Sequence, residues 1–122
     1  MITFKKFKAA TVQTSPVFLN VEKTIEKAIS FIKEAHENGA KLIAFPEVFI
    51  SGYPYWNWIM TPVQGSKWYE ELYKNSVAVN DVAMQALYNA ANEYDMTVVI
   101  GINERGDSYG EIYNTNLIIN NK

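Results

Sequence analysis

Asn38-Gly39-Ala40-Lys41-Leu42-Ile43-Ala44-Phe45-Pro46-Glu47-Val48-Phe49-Ile50-Ser51-Gly52-Tyr53-Pro54 is the stretch on which the fold turns. Asn38-Gly39 is a left-handed stop signal for a helix that precedes it. The apolar run Leu42-Ile43-Ala44-Phe45 follows at once. It is too short for a helix, and its flanks mark it as a strand buried on both faces. Pro46 fixes the local backbone and removes one amide donor. A carboxylate, Glu47, therefore stands directly at the carboxyl end of a buried strand, which is where open α/β sheets place their ligand sites.

Upstream, residues 7–13 read as a strand, with Ala9, Thr11 and Gln13 alternating against Ala10 and Val12. Thr14-Ser15-Pro16 breaks it. Asn20 is a candidate N-cap, and Glu22 sits in the first turn, where the helix dipole favours a negative charge. Ile25, Ala28, Ile29, Ile32 and Ala35 follow from Val21 at helical spacing, which predicts a helix over residues 21–37 with one buried stripe. Strand, helix and strand with short joints imply a right-handed parallel βαβ unit.

Downstream, residues 46–62 are irregular and aromatic, with Phe49, Tyr53, Tyr55, Trp56 and Trp58. Ser66 is read as the cap of a short helix through about Lys74. Asp81 is read as the cap of another over 82–94, with Val82, Ala86, Leu87, Ala90 and Ala91 on one face. Strands are expected at 97–102 and 112–119, separated by turn material at 105–110. The expected order is β-α-β-α-α-β-β, with the helices at 21–37 and 82–94 on one face of a single sheet. The last two strands are apolar on both sides: Val98 and Ile100 against Val99, and Ile112 and Ile118 against Leu117 and Ile119. One side packs on the helices, and the other needs a partner.

Composition narrows the function classes. The chain has 122 residues, 48% hydrophobic and 20% charged, in the ordinary range for a globular protein of one domain or part of one. A net charge of −2 gives no basic footprint for nucleic acid. No run of about 20 apolar residues is present, so no membrane helix is expected. The lysines near the start are not followed by an apolar segment, which argues against a secretory signal and favours the cytoplasm. The sequence has no cysteine. Internal disulfides, thiolate metal sites and a cysteine nucleophile are therefore excluded within these 122 residues.

Glu47 has two readings. As a general base it would profit from apolar and aromatic neighbours that reduce its hydration. As a plain structural carboxylate it would cap a turn or a helix, which from position alone is the commoner outcome. His36, the single histidine, lies late in the first helix among polar neighbours and reads as solvated. Lys5, Lys6 and Lys8 read as a solvated end. The aromatic cluster either lines an apolar pocket or plugs a core or interface, since aromatic residues dominate both.

Phe45-Pro46-Glu47 followed by Gly52-Tyr53-Pro54 resembles the catalytic-glutamate block of the nitrilase superfamily. Ala10-Thr11-Val12-Gln13 with Pro16 is similar to that family's first strand, and residues 38–43 to its approach to the glutamate. Gly101-Ile102-Asn103-Glu104-Arg105 and Tyr113-Asn114-Thr115 resemble two further family segments. Each motif is short, but five occur in family order from about Lys8 to Leu117. Gly52-Tyr53-Pro54-Tyr55-Trp56 and Asn103-Glu104-Arg105 look closest to the true nitrilases.

The resemblance implies a four-layer αββα sandwich, of which residues 1–122 would form the amino-terminal half: an α/β unit with a mixed sheet and helices on one face. It implies hydrolysis of non-peptide carbon–nitrogen bonds, nitrile to carboxylic acid and ammonia, by a Glu–Lys–Cys triad without metal or organic cofactor. Small nitriles or amides are the implied substrates, and a homo-oligomer the implied assembly. Glu47 matches the general base. Tyr53 matches a position near the substrate pocket, although a packed core tyrosine fits as well. Asn114 matches a position beside the active site, although an asparagine bonding nearby backbone is the commoner case. Glu104 receives no role. Lys122 falls too early for the family lysine, and the cysteine is absent, so the departure is a truncation rather than a substitution. The alternative is a non-catalytic half-domain that self-associates or pairs with a missing carboxyl-terminal half.

Overall fold

The computed structural model describes residues 1–120. Lys122, left unassigned above, lies outside the described residues. Four strands form one sheet in the order β1-β2-β3-β4. They are β1 (Lys8–Thr11), β2 (Ala40–Ala44), β3 (Thr97–Arg105) and β4 (Ile112–Ile119). β1 pairs with β2 and β2 with β3 in parallel, while β3 and β4 are antiparallel from Val98↔Ile119 to Arg105↔Ile112. The sheet is therefore mixed, as expected.

Helix α1 (Val21–Glu37) starts where Asn20 predicts, its side chain accepting the Lys23 amide at 3.0 Å. It stops at Asn38, and Gly39 follows with φ +79°, the left-handed residue its position demands. Ile25, Ala28, Ile32 and Ala35 of α1 share one core with Leu87 and Ala91 of α3 (Gln85–Glu93) and with Ile43, Val98, Ile100 and Ile102 of the sheet. Both helices thus lie on the same face, as the apolar stripes predicted. Each large side chain buried there contributes about 1.5–3 kcal/mol.

Alternation assigns the other face. Ile43 and Val98 are partners on the helix side, so Leu42, Ala44, Val99 and Gly101 point away from the helices. Across the antiparallel pair, Ile118, Asn116 and Asn114 share that outer face. Ile118 is 66% exposed there.

Several boundaries differ from the sequence reading. Helix α2 (Pro62–Lys74) begins four residues before Ser66. Thr61, not Ser66, is the cap: its hydroxyl accepts the Gln64 amide, Gln64 returns a bond to the Thr61 amide, and proline occupies the first turn. The expected helix at 82–94 opens with a single 3₁₀ turn, Val82–Met84, and becomes α-helical only at Gln85. Asp81 does not cap it. Its carboxylate instead accepts the Ala78 amide and the Arg105 guanidinium, each at 2.8 Å. Val82 consequently lies outside the core at 91% exposure, and Met84 takes its place. β1 ends at Thr11 rather than 13, although the Val12 amide still reaches the Ala44 carbonyl at 2.8 Å. β3 runs three residues beyond 102, because Asn103, Glu104 and Arg105 stay paired with β4.

One edge of β3 is covered in three pieces. β2 pairs with its first residues, Ile50 bridges to Ile102, and Val77 bridges to Glu104. This stitched edge positions the site.

Candidate active site

The stitching leaves a surplus of chain at Glu47. The Phe45 amide donates to Val99 O at 2.8 Å and the Ile50 amide to Gly101 O at 3.0 Å. The two acceptors are two positions apart on β3, whereas the donors are five apart, so the chain between them must leave the sheet. It does so as an arch, with Glu47 on it and β3 beneath. The arch carries backbone strain. Val48 has φ +40° and Ser51 φ +85°, followed by Gly52 at +102°. For a β-branched residue such as Val48 this conformation costs on the order of 1–3 kcal/mol. Burial holds it in place: Val48, Phe49, Ile50 and Ser51 are each at most 2% exposed. The Ser51 hydroxyl donates to the Asn75 carbonyl, tying the arch to the end of α2.

Glu47 itself is exposed. The expected apolar dehydration of its carboxylate is not met: Glu47 faces solvent although the adjacent Val48 and Phe49 are buried. The carboxylate borders an open cavity of about 850 Å³, lined also by Gln13, Phe18, Phe49, Tyr53 and Tyr55. Asn114 Nδ2 donates to Glu47 Oε1 at 2.6 Å. Glu47, at the carboxyl end of β2, and Asn114, on the outer face of β4, therefore meet across the outer surface of β3. A short charge-assisted bond of this kind orients a carboxylate and leaves its other oxygen free to handle a proton.

Tyr53 is half-buried in the cavity wall, its ring 4.9 Å from that of Tyr55, and its hydroxyl accepts from Trp58 Nε1 at 3.2 Å. The aromatic cluster divides. Tyr53 and Tyr55 line the cavity, Trp56 is buried against Phe18 and Trp68, and Trp58 is 77% exposed. Glu104 points to the helix side, where it accepts from Thr115 Oγ1 at 2.5 Å, away from Glu47. His36 is exposed, with Nδ1 3.0 Å from the Tyr94 carbonyl. Among the described residues no three His, Asp or Glu side chains gather closely enough to hold a metal ion. None of the described helices is long and apolar enough to cross a membrane.

Gly101 and Asn103, noted in the sequence only as part of a family-like segment and given no role, are both buried beneath the arch. The signal was there: an isolated glycine inside a β-branched strand marks close approach of another backbone.

Comparison with known proteins identifies the family. A family model described as carbon–nitrogen hydrolase matches residues 8–122. An aliphatic nitrilase from Rhodococcus rhodochrous is 43% identical over 114 residues, covering 93% of this chain and 31% of that protein. A cyanide hydratase from Microdochium sorghi is 40% identical over 114 residues, covering 93% of this chain and 30% of its own length. The crystal structure of Saccharomyces cerevisiae Nit3, a member of branch 10 of the nitrilase superfamily, superposes with a TM-score of 0.59 at 25% identity, over 88% of this chain and 36% of that one. The chain thus spans about a third of the length of these relatives, and its one-sided sheet is compatible with half of an αββα sandwich. With its mixed sheet, its glutamate arch and these matches, the chain belongs to the carbon–nitrogen hydrolase family.

Proposed function

We propose that residues 1–122 form the amino-terminal half of a nitrilase-type hydrolase domain, contributing the general base Glu47 to a Glu–Lys–Cys triad whose lysine and cysteine lie in a further segment. The observation that carries this reading is the Asn114–Glu47 bond at 2.6 Å beside an open cavity of about 850 Å³. Glu47 takes the proton of the cysteine thiol, and the thiolate attacks the nitrile or amide carbon. The proton passes from Glu47 to the substrate nitrogen, and the lysine stabilises the charge that develops there. A nitrile thereby becomes a thioimidate, which takes up one water and expels ammonia to give the acyl-enzyme, whereas an amide expels ammonia directly. A further water, with Glu47 as base, then hydrolyses the acyl-enzyme to the carboxylic acid and frees the cysteine thiol. Tyr53 lines the pocket, and its ring suits a small, largely apolar nitrile or amide. Asn114 orients the base.

A second reading is a half-domain without catalysis of its own, which pairs with itself or with a separate second half. The half-exposed outer face of the sheet favours it, since that surface can receive either partner. Sequencing the coding region beyond Lys122 separates the two. A lysine segment followed by a cysteine at the end of a strand supports the triad. A reading frame that closes without either, in a cell with no cysteine-bearing partner, leaves only the second reading.

A further inference from the structure

Gly101 and Asn103 are alternate residues on the outer face of β3, and both act on the arch that carries Glu47. A methyl group at Gly101 would lie 2.2 Å from Val48 N, 2.6 Å from Pro46 O and 2.7 Å from the Glu47 carbonyl carbon. All three are backbone atoms, which cannot swing aside as a flexible side-chain tip can. The arch therefore rests directly on the glycine, at a height only a hydrogen atom permits. Two residues on, Asn103 is 4% exposed. Its Nδ2 donates to Ile50 O at 3.1 Å and to Gly52 O at 2.9 Å. Both protons of that amide are thus spent on the exit of the arch, while the Asn103 backbone amide also donates to Ile50 O at 3.3 Å. Glycine sets how low the arch sits, and asparagine fixes where it rejoins the sheet. Asn114, the bonding partner of Glu47, is the cross-strand neighbour of Asn103. One short piece of β3 therefore references both the base and the residue that orients it.

We infer that Gly101 and Asn103 are positioning residues that set the Glu47 carboxylate against Asn114 and the reacting atoms. The inference rests on the reading of Glu47 as general base and adds the device that aims it.

The test is a double-mutant cycle in the complete hydrolase containing this chain and its cysteine-bearing segment, with ammonia release from a small aliphatic nitrile as the readout. Gly101→Ala and Asn103→Asp, the latter isosteric but unable to donate to two carbonyls, should each lower kcat roughly 10- to 100-fold, as expected for ångström-scale misplacement of a catalytic group. KM should change less than about threefold, since the loss falls on the transition state rather than on substrate binding. Each substitution combined with Glu47→Gln should cost nothing beyond Glu47→Gln alone, because a displaced arch matters only while it bears a base. Multiplicative losses in the combined variants would overturn the inference, since generic damage to the fold adds to any other defect. So would wild-type kcat in Gly101→Ala or Asn103→Asp while Glu47→Gln is inactive. Near-normal kcat in Glu47→Gln would instead remove the base assignment on which the inference rests. Where neither variant accumulates as folded protein by circular dichroism, Asn103→Ser, smaller and retaining one donor, should show an intermediate kcat loss with the same non-additivity. Additivity there would count against the inference equally.

Discussion

Asn114 and Glu47, 67 positions apart in the chain, are joined by a 2.6 Å hydrogen bond from the asparagine amide to the carboxylate. The contact exists because two independent features converge. An arch of surplus chain raises Glu47 over β3, and the antiparallel register sets Asn114 opposite Asn103. On the reading of Glu47 as general base, removing this bond should mis-aim its carboxylate without disturbing the core. In the complete hydrolase, Asn114→Ala should reduce kcat about tenfold or more, the scale of a lost hydrogen bond to a charged group. Asn114→Asp should reduce it further, because two carboxylates would then face each other. Equal activity in Asn114→Ala and the parent enzyme, measured as ammonia release, would remove the orienting role.

The 122-residue chain alone should not release ammonia from nitriles or amides. It contains no thiol, and deleting a nucleophile from a set that works as a unit abolishes most of the rate acceleration. The assay compares the purified chain with its Glu47→Ala variant. Ammonia release above that control would mean that another group serves as nucleophile.

Association is the third expectation. The outer sheet face presents Leu42, Ala44, Val99 and Ile118, with Ile118 66% exposed. At about 25 cal/mol per Å² of apolar surface, covering a few hundred Å² of such a face contributes several kcal/mol. Two copies packed face to face by these sheets, or one copy against its second half, would bury it. Sedimentation equilibrium at micromolar concentration should find dimers or larger species. Ile118→Lys should shift the chain toward monomer. A cooperatively melting monomer at the same concentration would show that the face needs no cover.

Alkaline pH should loosen the packing of α3. Burial, and secondarily the Asp81 carboxylate, push the Tyr88 phenol above its ordinary value of 10.0. Its hydroxyl donates to the Val79 carbonyl. Because the folded state holds this proton more tightly than the unfolded chain, the stabilisation is complete below pH 10 and is lost as pH rises through the folded value. The urea midpoint should fall above about pH 10, and less steeply in Tyr88→Phe. Identical pH profiles in the two proteins would mean that Tyr88 does not contribute.

Much of the fold was legible in the sequence because it rests on local signals. Asn20, the stripe from Ile25 to Ala35, and Gly39 fixed α1 at both ends. The β-branched run at 97–102 placed β3 but, being apolar on both sides, left its helix side open; the structure packs Val98, Ile100 and Ile102 there. The misplaced caps have equally local causes. Thr61-Pro62 with Gln64 is a stronger start signal than Ser66, and Asp81 is diverted to Arg105, a partner 24 residues away that no local reading includes. Within the site, Glu47 and Asn114 were identified by resemblance, and the structure joins them. The exposure of Glu47, the strained φ of Val48 and the seat provided by Gly101 depend on how far the chain between Phe45 and Ile50 outruns β3. That mismatch is a property of register, which sequence periodicity does not report.

The most direct measurement is the rate of ammonia release from a small aliphatic nitrile by the complete hydrolase and by its Glu47→Gln variant, with folding of both verified by circular dichroism. Glutamine keeps the size of the side chain and can still meet Asn114, but it cannot take a proton. Turnover should fall by about two to four orders of magnitude, the usual contribution of a positioned general base. A folded Glu47→Gln enzyme with near-normal turnover would contradict the assignment of Glu47 as the base.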